Sequence, residues 1–409
     1  MLRLVMLMDL HWGAISPERM DIEISKTLYP FLDENNIDVI IIGGDLFDSK
    51  QYLTSEVTKH VIRFIHTLMM KCKIIIFLTG TKTHDDLQLD TLKEIYSEVT
   101  CICDTACAIP YFMDKVGVIC LKDVCHIPCP SMLTYEELNY IRPDDISILC
   151  MPEEYILEQE EYYRPYLENQ HYDLIVYHGM VDKIWYAQKN KESQTEFTKH
   201  SSAPVFKVDE LLEHCNNCYA GHVHMHKRYG NDGRFLYVGP YTRWEFGKDD
   251  DVGFQYVEID EETKKVTDRF IVNNNAQVMT TRVMNITESI SLKELNDNLD
   301  AIIKNEMSYS DKLRFIINIH SNIDNYQGIK DFIISKLGEM KFIKLILSVD
   351  VDDEFMESTK ENVDSSQIEQ HKYLYENISI EERIQRFLKS RKNVDIHIDD
   401  IKRILTMEV

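Results

Sequence analysis

At 409 residues the chain exceeds one ordinary core and is long enough for two or three, so one large domain with smaller appendages is expected. Hydrophobic residues at 44% and charged residues at 28% predict a soluble globular protein, and the longest apolar runs, residues 39–42 and 74–78, fall far short of a membrane span. A formal net charge of −24 argues against tight DNA binding by the isolated chain, but not against phosphodiester chemistry, because divalent cations held among carboxylates supply positive charge locally.

The opening apolar run, residues 2–8, is followed by Asp9 and His11 where a signal peptide would need small residues. It reads as a buried strand, and a cytoplasmic location is expected. Residues 2–8, 37–42, 72–78, 174–177 and 219–220 are rich in β-branched or aromatic residues, and each run stops at Asp, Gly or His, as buried strands do. Between the first three, residues 21–35 and 54–70 read as helices; in the second, Val57, Val61, Ile62, Ile65 and Met69 recur three and four apart. Strand, helix, strand alternation implies a βαβ core. Residues 234–239 and 253–259 alternate in polarity and are expected to close a sandwich, with the first domain (1–275) ending at Asn273-Asn274-Asn275.

A separate α/β unit is expected over residues 276–350. Ser291-Leu-Lys-Glu294 has the spacing of a capping box before a helix bearing Leu292, Leu295, Leu299 and Ile302. A strand (313–319), a helix with Ile329, Phe332, Ile333 and Leu337 on one face, and a strand (342–349) follow. Residues 351–366 read as an acidic linker. Within 367–409, Ile384, Phe387 and Leu388, then Ile398, Ile401 and Leu405, mark two short amphipathic helices that either dock on a partner or pack back on the chain. The ten cysteines, spread through a long chain whose start does not read as a signal peptide, are expected as reduced thiols, and structural zinc is disfavoured because neither Cys215-Asn-Asn-Cys218 nor Cys101-x-Cys103 is followed by a second pair at zinc-finger spacing.

The chemistry lies at the strand ends. Asp9-Leu-His11 follows the first strand, Gly44-Asp45-Leu-Phe-Asp48 the second and Gly80-Thr-Lys-Thr-His84-Asp85 the third, while His178-Gly179 and Gly221-His222-Val-His224 follow later ones. In open α/β sheets ligands collect beyond the carboxyl ends of strands, so these side chains should converge. A lone Asp-x-His is weak evidence, but the ordered set of five is much stronger. Carboxylates and imidazoles without thiolate suit Mn²⁺, Fe²⁺, Zn²⁺ or Mg²⁺, and one carboxylate, here Asp45, can bridge two ions about 3.5–4 Å apart. A nearby imidazole that stabilises the transition state or protonates the departing 3′ oxygen fits His84. Trp12 and Tyr241 are candidate platforms for splayed bases, as is Trp244, for which packing is equally open. Arg243 is a candidate phosphate contact, with a surface salt bridge as its default role.

The order Asp-x-His, Gly-Asp-x-x-Asp, a Gly-to-His-Asp loop, His-Gly and Gly-His-x-His over residues 9–224 resembles the calcineurin-like metallophosphoesterase superfamily. Within it, Gly44-Asp45-Leu46-Phe47-Asp48 and Tyr237-Val-Gly239-Pro-Tyr-Thr-Arg243-Trp-Glu-Phe are similar to the SbcD and Mre-type repair nucleases. The resemblance implies an α/β fold, a four-layer α/β/β/α metallophosphoesterase sandwich with a small α/β capping domain and C-terminal helices. It implies Asp9, His11, Asp45 and His224 around one metal, and Asp45, His178 and His222 around the other, Mn²⁺ being the expected ion. His84 would face the scissile phosphate, with Asp48 and Asp85 completing the catalytic set as carboxylates that orient histidines or loop amides. The implied activity is DNA exonuclease and endonuclease cleavage of single strands or duplex ends, as a homodimer working with an SbcC-like coiled-coil ATPase and away from any membrane.

The third motif departs from the family. An asparagine amide normally ligates the second metal, whereas Thr81-Lys-Thr83 stands between Gly80 and His84. A threonine hydroxyl or a water is expected in its place, with weaker or altered second-metal binding. The competing expectations are a phosphomonoesterase or cyclic-nucleotide phosphodiesterase of the same superfamily, and a scaffold subunit whose altered third motif has abolished turnover.

Overall fold

Two open sheets carry the first two-thirds of the chain. The computed structural model describes residues 1–350 apart from 86–87, 100–107, 122–130, 154–158, 169, 183–204, 248–249 and 321–322. The expected linker (351–366) and tail helices (367–409) lie outside the described residues, as do Cys101 and Cys103. Contacts divide the chain into one unit of Met1–Thr281 with Glu306–Leu313, and a second of Arg282–Asn305 with the residues from Arg314 onward. The division thus falls at Thr281, against an expected boundary near residue 275.

In the first sheet, β1 (Leu2–Leu7), β2 (Val39–Gly43), β3 (Ile74–Leu78) and β4 (Ile109–Met113) run parallel. On the other side of β1, β14 (Gly253–Ile259) and β15 (Val266–Val272) add antiparallel. Every residue of β2 and β3 is buried, which explains why these strands read as unbroken apolar runs.

Helix α1 (Pro17–Lys26) starts at Ser16, whose hydroxyl accepts from the Arg19 amide, with Pro17 pre-set for the first turn. The single helix expected over 21–35 is two, because α2 (Leu28–Asn35) begins after a break at Thr27. Pro30 has no N–H to offer the Lys26 carbonyl, so it ends the first helix and is tolerated in the first turn of the next. Helix α3 (Glu56–Met69) is capped by the Ser55 hydroxyl, 3.1 Å from the Thr58 amide. Two further helices, α4 (Lys82–Asp85) and α5 (Gln88–Val99), lead out of β3.

The second sheet has the order β12-β13-β11-β8-β7-β5-β6. These strands are β5 (Gly117–Leu121), β6 (Ser131–Leu133), β7 (Ile146–Met151), β8 (Tyr172–His178), β11 (Cys215–Gly221), β12 (Lys227–Tyr229) and β13 (Phe235–Tyr237). At its centre β7, β8, β11 and β13 are parallel. A small pair, β9 (Met180–Val181) and β10 (Val205–Phe206), stands apart. The two strands expected to close a sandwich separate: β13 joins the second sheet and β14 the first.

Side chains alternate between clusters. Leu4, Met6, Val39 and Ile41 of the first sheet share one apolar cluster with Ile148, Val176 and Leu236 of the second, so the sheets face each other. The intervening residues Val5, Leu7, Ile40 and Ile42 face α1, α2 and α3 instead. The outer face of the second sheet packs on α6 (Gln159–Leu167) and α7 (Val208–Glu213) through Tyr163 and Leu211. Cys215 and Cys218 are buried free thiols in this outer cluster. Ile41 is fully buried between the sheets. Ile41→Ala is therefore expected to cost about 3 kcal/mol, read from chemical denaturation; a loss within error of zero would mean the sheets do not share this core.

The second unit is built on a three-stranded sheet of order β16-β17-β18: β16 (Met279–Ile286), β17 (Lys312–His320) and β18 (Ile343–Asp350). Along β17 Leu313, Phe315, Ile317 and Ile319 are buried at alternate positions. Helix α8 (Leu292–Glu306) buries Leu295 and Leu299, and its start is capped by the Ser291 hydroxyl, 3.2 Å from the Glu294 amide. Helix α9 (Tyr326–Leu337) buries Ile329, Ile333 and Leu337. Among the described residues no helix is long and apolar enough to cross a membrane.

Candidate metal centre

All the polar strand ends lie within the first unit. Asp9 and His11 follow β1, Asp45 follows β2, and His84 and Asp85 lie in α4 after β3. His178 ends β8, while His222 and His224 follow β11. The loops after β1 and β2 are laced together: the His11 amide donates to the Asp45 carbonyl at 2.9 Å, Trp12 to Leu46 at 2.9 Å, and Asp48 back to Trp12 at 3.1 Å.

Ligand-capable atoms gather in three groups. Asp9, His11, Asp45 and His224 form one, Asp45, His178 and His222 a second, and His11, Asp48 and His84 a third, with the atoms of each group within 4.8 Å of one another. Asp45 belongs to the first two. Within them, His11 Nε2 lies 3.1 Å from His224 Nε2 and 3.7 Å from Asp45 Oδ2, and His178 Nε2 lies 3.4 Å from Asp45 Oδ2. Bonds of about 2.1 Å to a shared cation would set neighbouring donors about 3.0–3.4 Å apart, so most of these spacings suit a metal ion.

Unpartnered atoms point the same way. Among the described residues Asp9 Oδ2 and His178 Nε2 are buried without a hydrogen-bond partner, a cost of the kind that a bound cation removes. The other atoms of these groups are tied down. His178 Nδ1 donates to the Gly43 carbonyl at 2.8 Å, which leaves the Nε2 lone pair for a ligand, and Asp9 Oδ1 accepts the His222 amide at 2.8 Å.

The backbone is strained at this place. Asp9, His11, Asp45 and His222 have φ of 48°, 46°, 50° and 82°, a region that costs a side-chain-bearing residue about 1–3 kcal/mol. Two glycines allow the close approach. A Cβ on Gly44 would come within 2.1 Å of His178 Nδ1, and one on Gly80 within 2.2 Å of the Asp45 amide nitrogen.

Charge at the centre is mutually adjusted. Burial drives the His11 imidazole down to about 3, keeping it neutral and its nitrogens available. Burial would also pull His178 down, yet Asp45, Asp9 and Glu153 hold it well above the ordinary imidazole value. Burial opposes ionisation of Asp45, but His178 and His11 bring it below the usual carboxylate range. Asp9 is raised, chiefly by burial. The buried acids thus favour positive charge among them.

Around it, Asp85 is fully buried and accepts the Phe47 amide at 3.2 Å and the Gly80 amide at 2.9 Å, bracing two ligand loops. Burial and the neighbouring Asp45 push it up to about 7. His84 Nδ1 donates to the Asp48 carbonyl, which fixes the tautomer and leaves Nε2 for other partners, and its ring meets His11 edge-on at 4.8 Å. The Asp48 carboxylate lies 3.7 Å from His11 Nδ1. Trp244 packs against His11 and His224 with ring centroids 4.7 and 5.0 Å away. Arg243 lines a cleft with His224 and Trp244 and donates to the Asp250 carbonyl at 3.3 Å.

Two expected stacking residues are corrected by burial. Trp12 is fully buried against Phe64, at 5.7 Å, and Tyr241 is fully buried with its hydroxyl donating to the Glu23 carbonyl at 3.1 Å. Neither offers a face to a base, because both point into the core between first sheet and helices. One residue of the centre was not expected. Glu153, two residues past β7, has a side chain 1% exposed and stands 3.0 Å from His222 Nδ1. Its signal in the sequence is that of the other ligands: an acid just beyond an apolar strand. No known protein-family model matches the chain, and neither does any curated protein.

Proposed function

We propose that this protein is a metal-dependent phosphodiesterase that cleaves DNA, built as a calcineurin-like sandwich and acting as the nuclease subunit of an SbcCD-like repair or recombination complex. The observation that carries this reading is one carboxylate, Asp45, common to two ligand groups drawn from the strand ends of two facing sheets. The residues that would hold a first cation are Asp9, His11, Asp45 and His224, and those for a second include Asp45, His178 and His222. Bound there, divalent ions such as Mn²⁺ neutralise phosphate oxygens and make a bound water acidic enough to yield hydroxide near neutral pH.

The chain's own groups do the rest. Asp85 fixes the Phe47 and Gly80 amides, and so the two loops that carry Asp45 and His84. His84, anchored through Nδ1–H to the Asp48 carbonyl, directs Nε2 toward the substrate, and in the imidazolium form, with a second proton on Nε2, it delivers that proton to the departing 3′ oxygen and returns to the neutral ring. Arg243, in the cleft beside His224, is placed to meet a flanking phosphate. A DNA-gripping partner such as an SbcC-like coiled-coil ATPase accounts for how a chain of net charge −24 engages a polyanion, and a homodimer is proposed on the same resemblance.

The test compares single-stranded DNA with p-nitrophenyl phosphate as substrates in Mn²⁺. Faster turnover of DNA supports the nuclease reading; turnover of the monoester alone would transfer the site to phosphomonoesterase chemistry. His84→Ala is expected to lower DNA cleavage about 10²–10³-fold with Mn²⁺ stoichiometry unchanged, and full retained activity would remove His84 from the reaction.

A further inference from the structure

We infer that Glu153 is a ligand of the second cation, completing the set of Asp45, His178 and His222 in place of the amide that the Gly80–His84 loop lacks. The inference rests on the metal-dependent reading above and names a donor that reading does not supply. Glu153 Oε2 lies 3.0 Å from His222 Nδ1 and 3.6 Å from His178 Nε2. These separations match those among the other ligand atoms of the centre.

The carboxylate is held there from two sides. The Glu153 amide donates to the Thr79 carbonyl at 3.2 Å, which ties the end of β7 to the end of β3. The Thr81 hydroxyl stands between the two acids, 3.0 Å from Glu153 Oε2 and 3.3 Å from Asp45 Oδ2, while the Thr81 amide donates to Asp45 Oδ1 at 2.6 Å. Thr81 is thus a positioning residue that spans both carboxylates. It stands where the missing asparagine is expected, but the anionic donor comes from a different strand of the other sheet.

Charge decides between a ligand and a simple ion pair. Asp9, Asp45 and Glu153 are three acids at most 3% exposed by side chain or residue. Buried carboxylates are costly unless they are paired or hold a cation, and the Glu153 oxygen lies at ligand spacing from both imidazoles of the second group. An anionic oxygen in place of a neutral amide also strengthens the hold on a hard cation, so second-metal binding need not weaken despite the altered loop.

The experiment is Mn²⁺ titration of the metal-stripped full-length chain by calorimetry, with electron paramagnetic resonance to detect coupled ions. The parent is expected to bind two equivalents with a coupled signal. Glu153→Gln, nearly isosteric, is expected to weaken one equivalent about 10–100-fold, spare the other, and lose the coupled signal, with its Tm in chelator equal to the parent's. Two equivalents of unchanged affinity in Glu153→Gln would overturn the assignment, as would a parent that binds only one. A parent that binds no Mn²⁺ would overturn the metal-centre reading beneath it. If Glu153→Gln fails to fold, Glu153→Asp, which keeps the charge on a shorter arm, must weaken the same equivalent, and unchanged binding in that variant also overturns the assignment.

Discussion

Asp45→Asn is expected to lower Mn²⁺-dependent DNA cleavage by at least about 10³-fold, the largest single-residue effect in the molecule. Asp45 Oδ2 faces His11 at 3.7 Å and His178 at 3.4 Å, and Oδ1 accepts the Thr81 amide. An asparagine removes the charge from both ligand groups at once, and its NH₂ group must face either the Thr81 amide or the imidazoles. Cleavage of end-labelled single-stranded DNA and Mn²⁺ titration should fall together. A variant within tenfold of the parent rate would mean Asp45 is not shared between two ions.

Gly80→Ala is expected to be the most damaging change outside the ligands. The added Cβ would sit 2.2 Å from the Asp45 amide nitrogen and 2.3 Å from Asp45 Oδ1. The nearest obstacle is backbone, with no flexible side chain to yield, and Asp85 pins the Gly80 amide from the other side at 2.9 Å. Relief therefore requires moving the loop that carries Asp45. A stability loss of about 3 kcal/mol, with Tm lower by roughly 5–10 °C, is expected together with loss of Mn²⁺ binding. A variant with the parent's Tm and metal affinity would show that the β2 and β3 loops are not in this tight register.

Much of this arrangement was legible in the sequence because burial on both faces writes strands as continuous apolar runs. β1, β2 and β3 announce themselves that way, and the polar ends of the first two mark the ligand-capable Asp9, His11 and Asp45. Long-range pairing left no such mark: nothing local says that β14 inserts beside β1 or that β13 stays in the other sheet. The break at Thr27 was hidden because an apolar spacing continues through Pro30, although the missing amide forbids one helix. Trp12 and Tyr241 misled because proximity in sequence to ligands says nothing about which way a ring points. Glu153 was overlooked because the strand it follows, β7, was not among the apolar runs read as strands.

The ligand-capable residues come from both sheets: Asp9, His11 and Asp45 hang from one, His178, His222 and His224 from the other. A bound ion would consequently act as a clasp across the sandwich seam, sensing sliding of one half against the other by fractions of an ångström. Loosening the seam remotely, as Ile41→Ala does, should loosen the clasp as well, seen as weaker Mn²⁺ binding at temperatures far below unfolding; equal affinity in that variant would mean the halves move as one block.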